Sequence, residues 1–137
     1  MPLDVQVIPE RELIWVDGRG VVTDEDLVGY VQEYLVEKDL RSWDEVFDLS
    51  TADLHDLTYA GLSQVATTAA PTDPLESPTR IGILVSEAVG MGLSRMYQSL
   101  REGKGGRRAV RIFWDRKDLL TWMELPLDWA VFPSANP

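Results

Sequence analysis

Short apolar runs of strand length alternate with helix-like patterns along most of the chain, and this alternation limits the fold more than any other feature. Residues 5–8 (Val-Gln-Val-Ile) and 13–16 (Leu-Ile-Trp-Val) read as two strands around the polar turn Pro9-Glu10-Arg11-Glu12. Thr23-Asp24-Glu25-Asp26 then marks a helix start, because a threonine oxygen can accept an orphan N–H and acids favour the positive end of the helix dipole. Leu27, Val31, Tyr34 and Leu35 follow at helical spacing and predict about four turns. Residues 43–49 form a third strand, and Asp56 or Thr58 can cap a helix carrying Leu62, Val65, Ala66 and Ala69. Residues 71–78 hold three prolines and read as loop. Residues 81–85 (Ile-Gly-Ile-Leu-Val) have the unbroken apolar character of a parallel strand covered on both faces.

A third helix over residues 87–101 places Val89, Leu93, Met96, Tyr97 and Leu100 inward. Residues 110–114 give a last strand nearer the edge, and Asp115 caps a fourth helix that Pro126 stops. The order is ββαβαβαβα. It calls for a single α/β domain over residues 1–124, with a mostly parallel five-stranded sheet, an antiparallel first strand at its edge and four helices. Asp17-Gly18-Arg19-Gly20 predicts a bend or bulge within the second strand.

Composition narrows the function classes. With 137 residues, 45% hydrophobic and 26% charged, the chain has the make-up of one globular domain. It has no cysteine, so disulfide and thiolate chemistry are excluded. Net charge is −10 and uneven: residues 1–57 hold 15 acids against four bases, while seven of the 13 bases lie between Arg101 and Lys117. An acidic chain is repelled by phosphate backbones, so no nucleic-acid partner is expected. The opening Met-Pro-Leu-Asp-Val-Gln lacks a basic leader, and no window nears the roughly 20 apolar residues that span a bilayer. A cytoplasmic location without stable membrane insertion is the expectation.

No catalytic motif emerges. Gly18-Arg19-Gly20 lacks the third glycine of a dinucleotide fingerprint, and Gly103-Lys104-Gly105-Gly106 lacks the Gly-Lys-Ser/Thr ending of a phosphate loop. Gly90 and Gly92 lie inside a helix pattern, where small residues permit close packing. His55 is the one histidine, so a His/Cys zinc site cannot be built. No metal, cofactor or enzymatic activity is expected. Five tryptophans is a high count; Trp15, Trp43 and Trp114 lie in or beside strands and read as core.

The stretch Asp48-Leu49-Ser50, followed eight residues on by Asp56 and then Thr58 and Gly61-Leu62, resembles the centre of the SpoIIAA-like superfamily, which includes STAS domains. Trp15-Val-Asp-Gly-Arg-Gly20, Gly90-Met-Gly-Leu-Ser-Arg-Met-Tyr97 and Ile112-Phe-Trp-Asp-Arg-Lys-Asp-Leu-Leu-Thr-Trp122 are similar to bacterial STAS/CRAL-TRIO-like proteins of that type, most of unknown function. The resemblance covers residues 5–124 and implies the same element order. Its CRAL-TRIO branch implies a non-enzymatic binding module for a small apolar or lipid-like molecule with transient membrane contact. On that reading Trp15, Met91, Arg95, Tyr97, Trp122 and Trp129 are the candidate ligand contacts. Its STAS branch implies a protein-interaction module with a regulatory protein partner, switched by phosphate at Thr58. The antagonists have a compact Asp-Ser-Ser-Gly where this chain has Asp56-Leu57-Thr58-Tyr59-Ala60-Gly61.

The tail, residues 125–137, carries Leu125, Leu127, Trp129, Val131 and Phe132 beyond the last helix. Each such side chain gains about 1.5–3 kcal/mol on full burial. With Pro126 and Pro133 against helix, the segment is expected to run extended and to cover its own domain or a second subunit. A homodimer is favoured over a monomer.

Overall fold

The computed structural model describes residues 2–74, 79–103 and 108–130. Strands β1 (Leu3–Ile8), β2 (Leu13–Val21), β3 (Asp44–Asp53), β4 (Arg80–Leu84) and β5 (Ala109–Phe113) form one sheet in chain order. β1 runs antiparallel to β2 because the turn Pro9–Arg11 is far too short for a crossover. Every later pair is parallel. Helices α1 (Asp24–Tyr30), α2 (Tyr59–Ala69) and α3 (Ala88–Gly103) make the three crossovers. Since each crossover advances the sheet one strand the same way, a common hand lays all three helices on one face. Ile14, Val16, Ile81 and Ile83 point into that layer. Helix α4 (Arg116–Trp122) covers the other face, where Leu119, Leu120 and Met123 pack on Leu13, Trp15 and Val46.

The bulge expected in the second strand is present. The β2–β3 register shifts between Asp17 and Arg19. A Cβ on Gly18 would lie 2.8 Å from Leu49 Cδ2, and Gly20 has φ +65°, so both glycines serve the backbone bend. Next to the bulge, Asp17 stands opposite Asp4 on one side and Asp48 on the other. Burial raises its pKa above the ordinary carboxylate value, and the Asp48 charge pushes the same way. A folded-state pKa above the unfolded one gives a contribution present at acid pH and lost as pH climbs through the raised value. Asp17→Asn is therefore expected to be more stable than wild type at neutral pH, with the gap closing on acidification. Urea unfolding at a series of pH values checks this, and equal stabilities throughout would refute it.

Helix starts follow the sequence closely. Thr23 Oγ1 accepts the Asp26 N–H at 3.3 Å while Asp26 Oδ2 accepts the Thr23 N–H at 2.9 Å, a reciprocal cap. Of Asp56 and Thr58, the residue that caps α2 is Thr58, whose Oγ1 accepts the Gly61 N–H at 2.9 Å. Asp115 caps α4 through the Lys117 N–H. Helix interiors depart more. Only seven residues of the first helix are α-helical; Val31–Glu37 winds in wider π turns, with the Lys38 N–H bonded to the Glu33 carbonyl five residues back. The widened segment keeps Val31 and Leu35 buried while Tyr30 and Tyr34 stack with ring centroids 5.5 Å apart. The third strand is also longer than expected, its last residues pairing with β2 beyond the bulge.

Four expectations need correction. The buried positions of α3 are Gly90, Ser94 and Arg101, whereas Val89, Met96 and Leu100 are only half-buried. A Cβ on Gly90 would meet Val85 at 3.2 Å, but Gly92 faces open space, so one of the two glycines serves close packing. Trp114 is 56% exposed, because Phe113 before it points inward and the sheet edge leaves the next side chain uncovered. In the tail, Leu125 is buried and Trp129 half-buried against the α4 face, yet Leu127 is 61% exposed. The Trp129 N–H bonds to the Pro126 carbonyl at 2.9 Å, and this turn replaces the extended strip. Val131 and Phe132, the proline-rich residues 75–78 and residues 104–106 of the glycine cluster lie outside the described residues.

Candidate functional site

Helices α1, α2 and α3 do not close completely on the sheet. Between them and β3 lies a cavity of about 60 Å³, walled by Leu35, Leu54, Leu62, Val65, Ala69 and Ile83. Leu27, Leu57 and Leu93, all half-buried, stand where it approaches solvent. Polar groups enter it from two elements besides α1: Glu45 from β3, and Ser94 and Tyr97 from α3, one turn apart on the same side. Glu45 is inward because strand alternation sends it the same way as Phe47 and Leu49, opposite to Val46.

Behind the cavity these polar groups join a buried ionic cluster. Tyr30 Oη donates to Glu45 Oε1 at 2.7 Å. The Arg108 guanidinium lies 3.2 Å from Glu45 Oε2, near enough for an ion pair but not aligned as a hydrogen bond. Arg108 Nε donates to Asp73 Oδ1 at 3.0 Å, and Arg101 donates to the same oxygen. Arg101 also donates to Tyr97 Oη at 2.8 Å, and Arg108 to the carbonyls of Trp43 and Arg41. All four charged side chains are shielded from water. Among the described residues, two carboxylates meet two guanidiniums in this cluster.

The environment shifts the two phenols the same way. Burial, then the adjacent Glu45 charge, pushes Tyr30 well above the ordinary tyrosine pKa. Burial also raises Tyr97, against the opposing pull of Arg101. For Arg101 itself burial works against the charge, but Tyr97 and Asp73 outweigh it and raise the pKa. Both tyrosines are thus protonated, hydrogen-bonding groups throughout the ordinary pH range.

The structure brings one of the six ligand candidates, Tyr97, to this cavity. Trp15, Trp122 and Trp129 lie on the opposite face of the sheet around α4. There Arg116 stacks over the Trp15 ring at 5.1 Å and reaches the Trp129 carbonyl at 3.0 Å. Met91 packs against Ile81, Ile83 and Val85, and Arg95 faces solvent. Thr58 stands at the head of α2, where its hydroxyl donates to Asp24 Oδ2 at 2.9 Å and its N–H to Asp24 Oδ1 at 3.2 Å. Glu45, Ser94 and Arg108 were not singled out from sequence. One signal for Glu45 was available: an acid at an inward register of a strand that otherwise shows Phe47 and Leu49 to the core. The basic stretch is also thinner than expected, since Arg101 and Arg108 are buried in the cluster.

Comparison with known proteins establishes the fold. A solved structure of an uncharacterized protein of the DUF3478 family, with a SpoIIAA-like fold, from Shewanella loihica PV-4 superposes with a TM-score of 0.53. It is 15% identical and the match covers 88% of this chain and 91% of that one. The chain therefore has the SpoIIAA-like fold, the α/β arrangement of one antiparallel and three parallel strand pairs described above. No family model and no curated protein matches the sequence. Among the described residues, no helix is long and apolar enough to cross a membrane.

Proposed function

We propose that this chain is a binding module that takes a small apolar or lipid-like molecule between its helices and its sheet. The observation that carries the reading is the cavity beside β3, apolar on its walls and polar at its floor, which is the usual make-up of a small-molecule site. At about 60 Å³ it is smaller than the roughly 150 Å³ engineered cavity that holds benzene. A guest of lipid size therefore enters by displacing the half-buried Leu27, Leu57 and Leu93. The π-wound segment that supplies Val31 and Leu35 supports such yielding, because wide turns often mark functional sites in helices. Transient membrane contact would use the β5–α4 edge, where exposed Trp114 and Arg111 line one surface groove. Native mass spectrometry of protein purified without detergent, with analysis of its organic extract, is expected to find one retained apolar molecule. A bare mass, together with no uptake of Nile red, would overturn the reading.

A second reading, a STAS-type interaction module switched at Thr58, draws support from the Thr58–Asp24 contact. Thr58 is exposed, and its side chain ties the head of α2 to the first residue of α1. A phosphate there would lose the donated proton and set its charge against Asp24. Thr58→Glu is expected to cost about 1 kcal/mol, as a lost cap does, and to speed amide exchange in α1. It should also change the set of proteins recovered with the chain from its own cell extract. Equal recovery by both forms would reject the switch.

A further inference from the structure

We propose that the contact between Asp24 and Thr58 is a clasp that holds the cavity mouth shut, so that its release sets how fast a guest enters and leaves. This rests on the ligand-binding reading above and goes on to name what controls that site. Leu27 and Leu57 stand at the mouth, one turn after Asp24 and one residue before Thr58. Thr58 spends both its donors on one carboxylate: the hydroxyl on Asp24 Oδ2 at 2.9 Å and the N–H on Oδ1 at 3.2 Å. Among the described residues, no other side-chain hydrogen bond joins α1 to α2 or to the turn before it. Gly61 makes room for the contact. A Cβ there would overlap the Asp24 carboxyl, so any other residue at 61 pushes the carboxylate off the head of α2.

The two halves of the clasp are held unequally. Asp24 stands two residues after Val22, which is fully buried and donates its N–H to the Asp53 carbonyl at 3.1 Å. Between and beyond them, Thr23 and Asp26 cap each other. Asp24 is therefore a fixed post. On the other side His55, Asp56 and Thr58 are exposed, and Leu57 alone of the four turns to the cavity, its N–H bonded to the Leu54 carbonyl at 3.2 Å. Residues 55–58 thus form a short arm that carries Leu57 over the mouth and is fastened at Thr58. Both clasp bonds are open to water, which takes their place at small net cost when the arm lifts. Such a gate acts on entry and release together, whereas a lost contact to the guest acts chiefly on release.

The test follows Nile red by stopped flow as it enters the protein and as it leaves for phosphatidylcholine vesicles, on wild type, Asp24→Ala, Gly61→Ala and Glu25→Ala. Asp24→Ala removes the post's carboxylate. Gly61→Ala displaces the same carboxylate from the other side, and alanine, a better helix former than glycine, keeps α2 firm. Glu25→Ala takes an exposed acid from the same turn and leaves the clasp alone. Uptake and release are expected to quicken together about three- to tenfold in the first two variants, the net worth of one hydrogen bond, and to match wild type in the third. In the empty protein the Leu57 amide should also exchange faster in both clasp variants. Wild-type rates in both, release quickened without uptake, or an equal rise in Glu25→Ala overturns the gate while leaving ligand binding standing. No uptake of Nile red by any form overturns the binding reading and the gate together.

Discussion

Asp73→Ala is expected to lower the unfolding free energy by about 3–5 kcal/mol, the cost of breaking a buried ion pair from one side. Asp73 Oδ1 receives hydrogen bonds from both Arg101 and Arg108, whose side chains are as buried as the carboxylate itself. Without it, the described charges of the cluster become two guanidiniums against Glu45 alone. Asp73→Asn keeps an accepting oxygen but not the charge, so it should fall between wild type and alanine. Urea unfolding with an unchanged slope reads the difference. A loss under about 1 kcal/mol would mean that the cluster is as well solvated as a surface pair, for which such values are typical.

Trp15→Ala should match that loss by an apolar route, at about 3–5 kcal/mol for a large aromatic core side chain. Trp15 is 2% exposed and packs among Leu13, Val46, Leu119 and Leu120 between β2 and α4. Its ring also carries the Arg116 guanidinium, which in turn approaches Asp48 at 3.4 Å and holds the Trp129 carbonyl. Removing the indole therefore loosens α4 and the turn after it, and amide exchange should rise in both. Trp114→Ala is the matched control. Its exposure predicts a change within about 0.5 kcal/mol, as at other open surface sites. Equal costs at the two tryptophans would contradict the core described for this face.

These two tryptophans show how far the sequence could be read. Strand and helix patterns are local, so the element order, the bulge at Gly18 and the caps at Thr23 and Asp115 were legible from neighbours on the chain, while the cap of α2 was narrowed to Asp56 or Thr58. Trp15 sits in an inward register of a covered strand, whereas Trp114 stands just past the end of the edge strand with its side chain mostly exposed; local pattern treats them alike. The cavity was less legible still. Tyr97 was reached because it lies on the inner stripe of α3. Glu45, Ser94 and Arg108 become neighbours only when β3, α3 and the start of β5 are brought together, and no spacing along the chain encodes that meeting. Arg101 and Arg108 misled for a related reason: a run of basic residues looks like a solvated patch until a buried Asp73 and Glu45 are placed opposite.

The ionic cluster also bears on the order of events in folding. Arg101 and Asp73 are 28 residues apart, Arg108 and Asp73 are 35 apart, and Arg108 and the Trp43 carbonyl are 65 apart. Such long loops close late, after the local turns and β1–β2 have formed, because the closure entropy must be met before the contacts return anything. Interactions absent from the transition state act on the rate of escape from the native state and leave the rate of arrival nearly unchanged. The cluster is then a latch in time: it does little to start this fold, and it sets how long a folded molecule lasts.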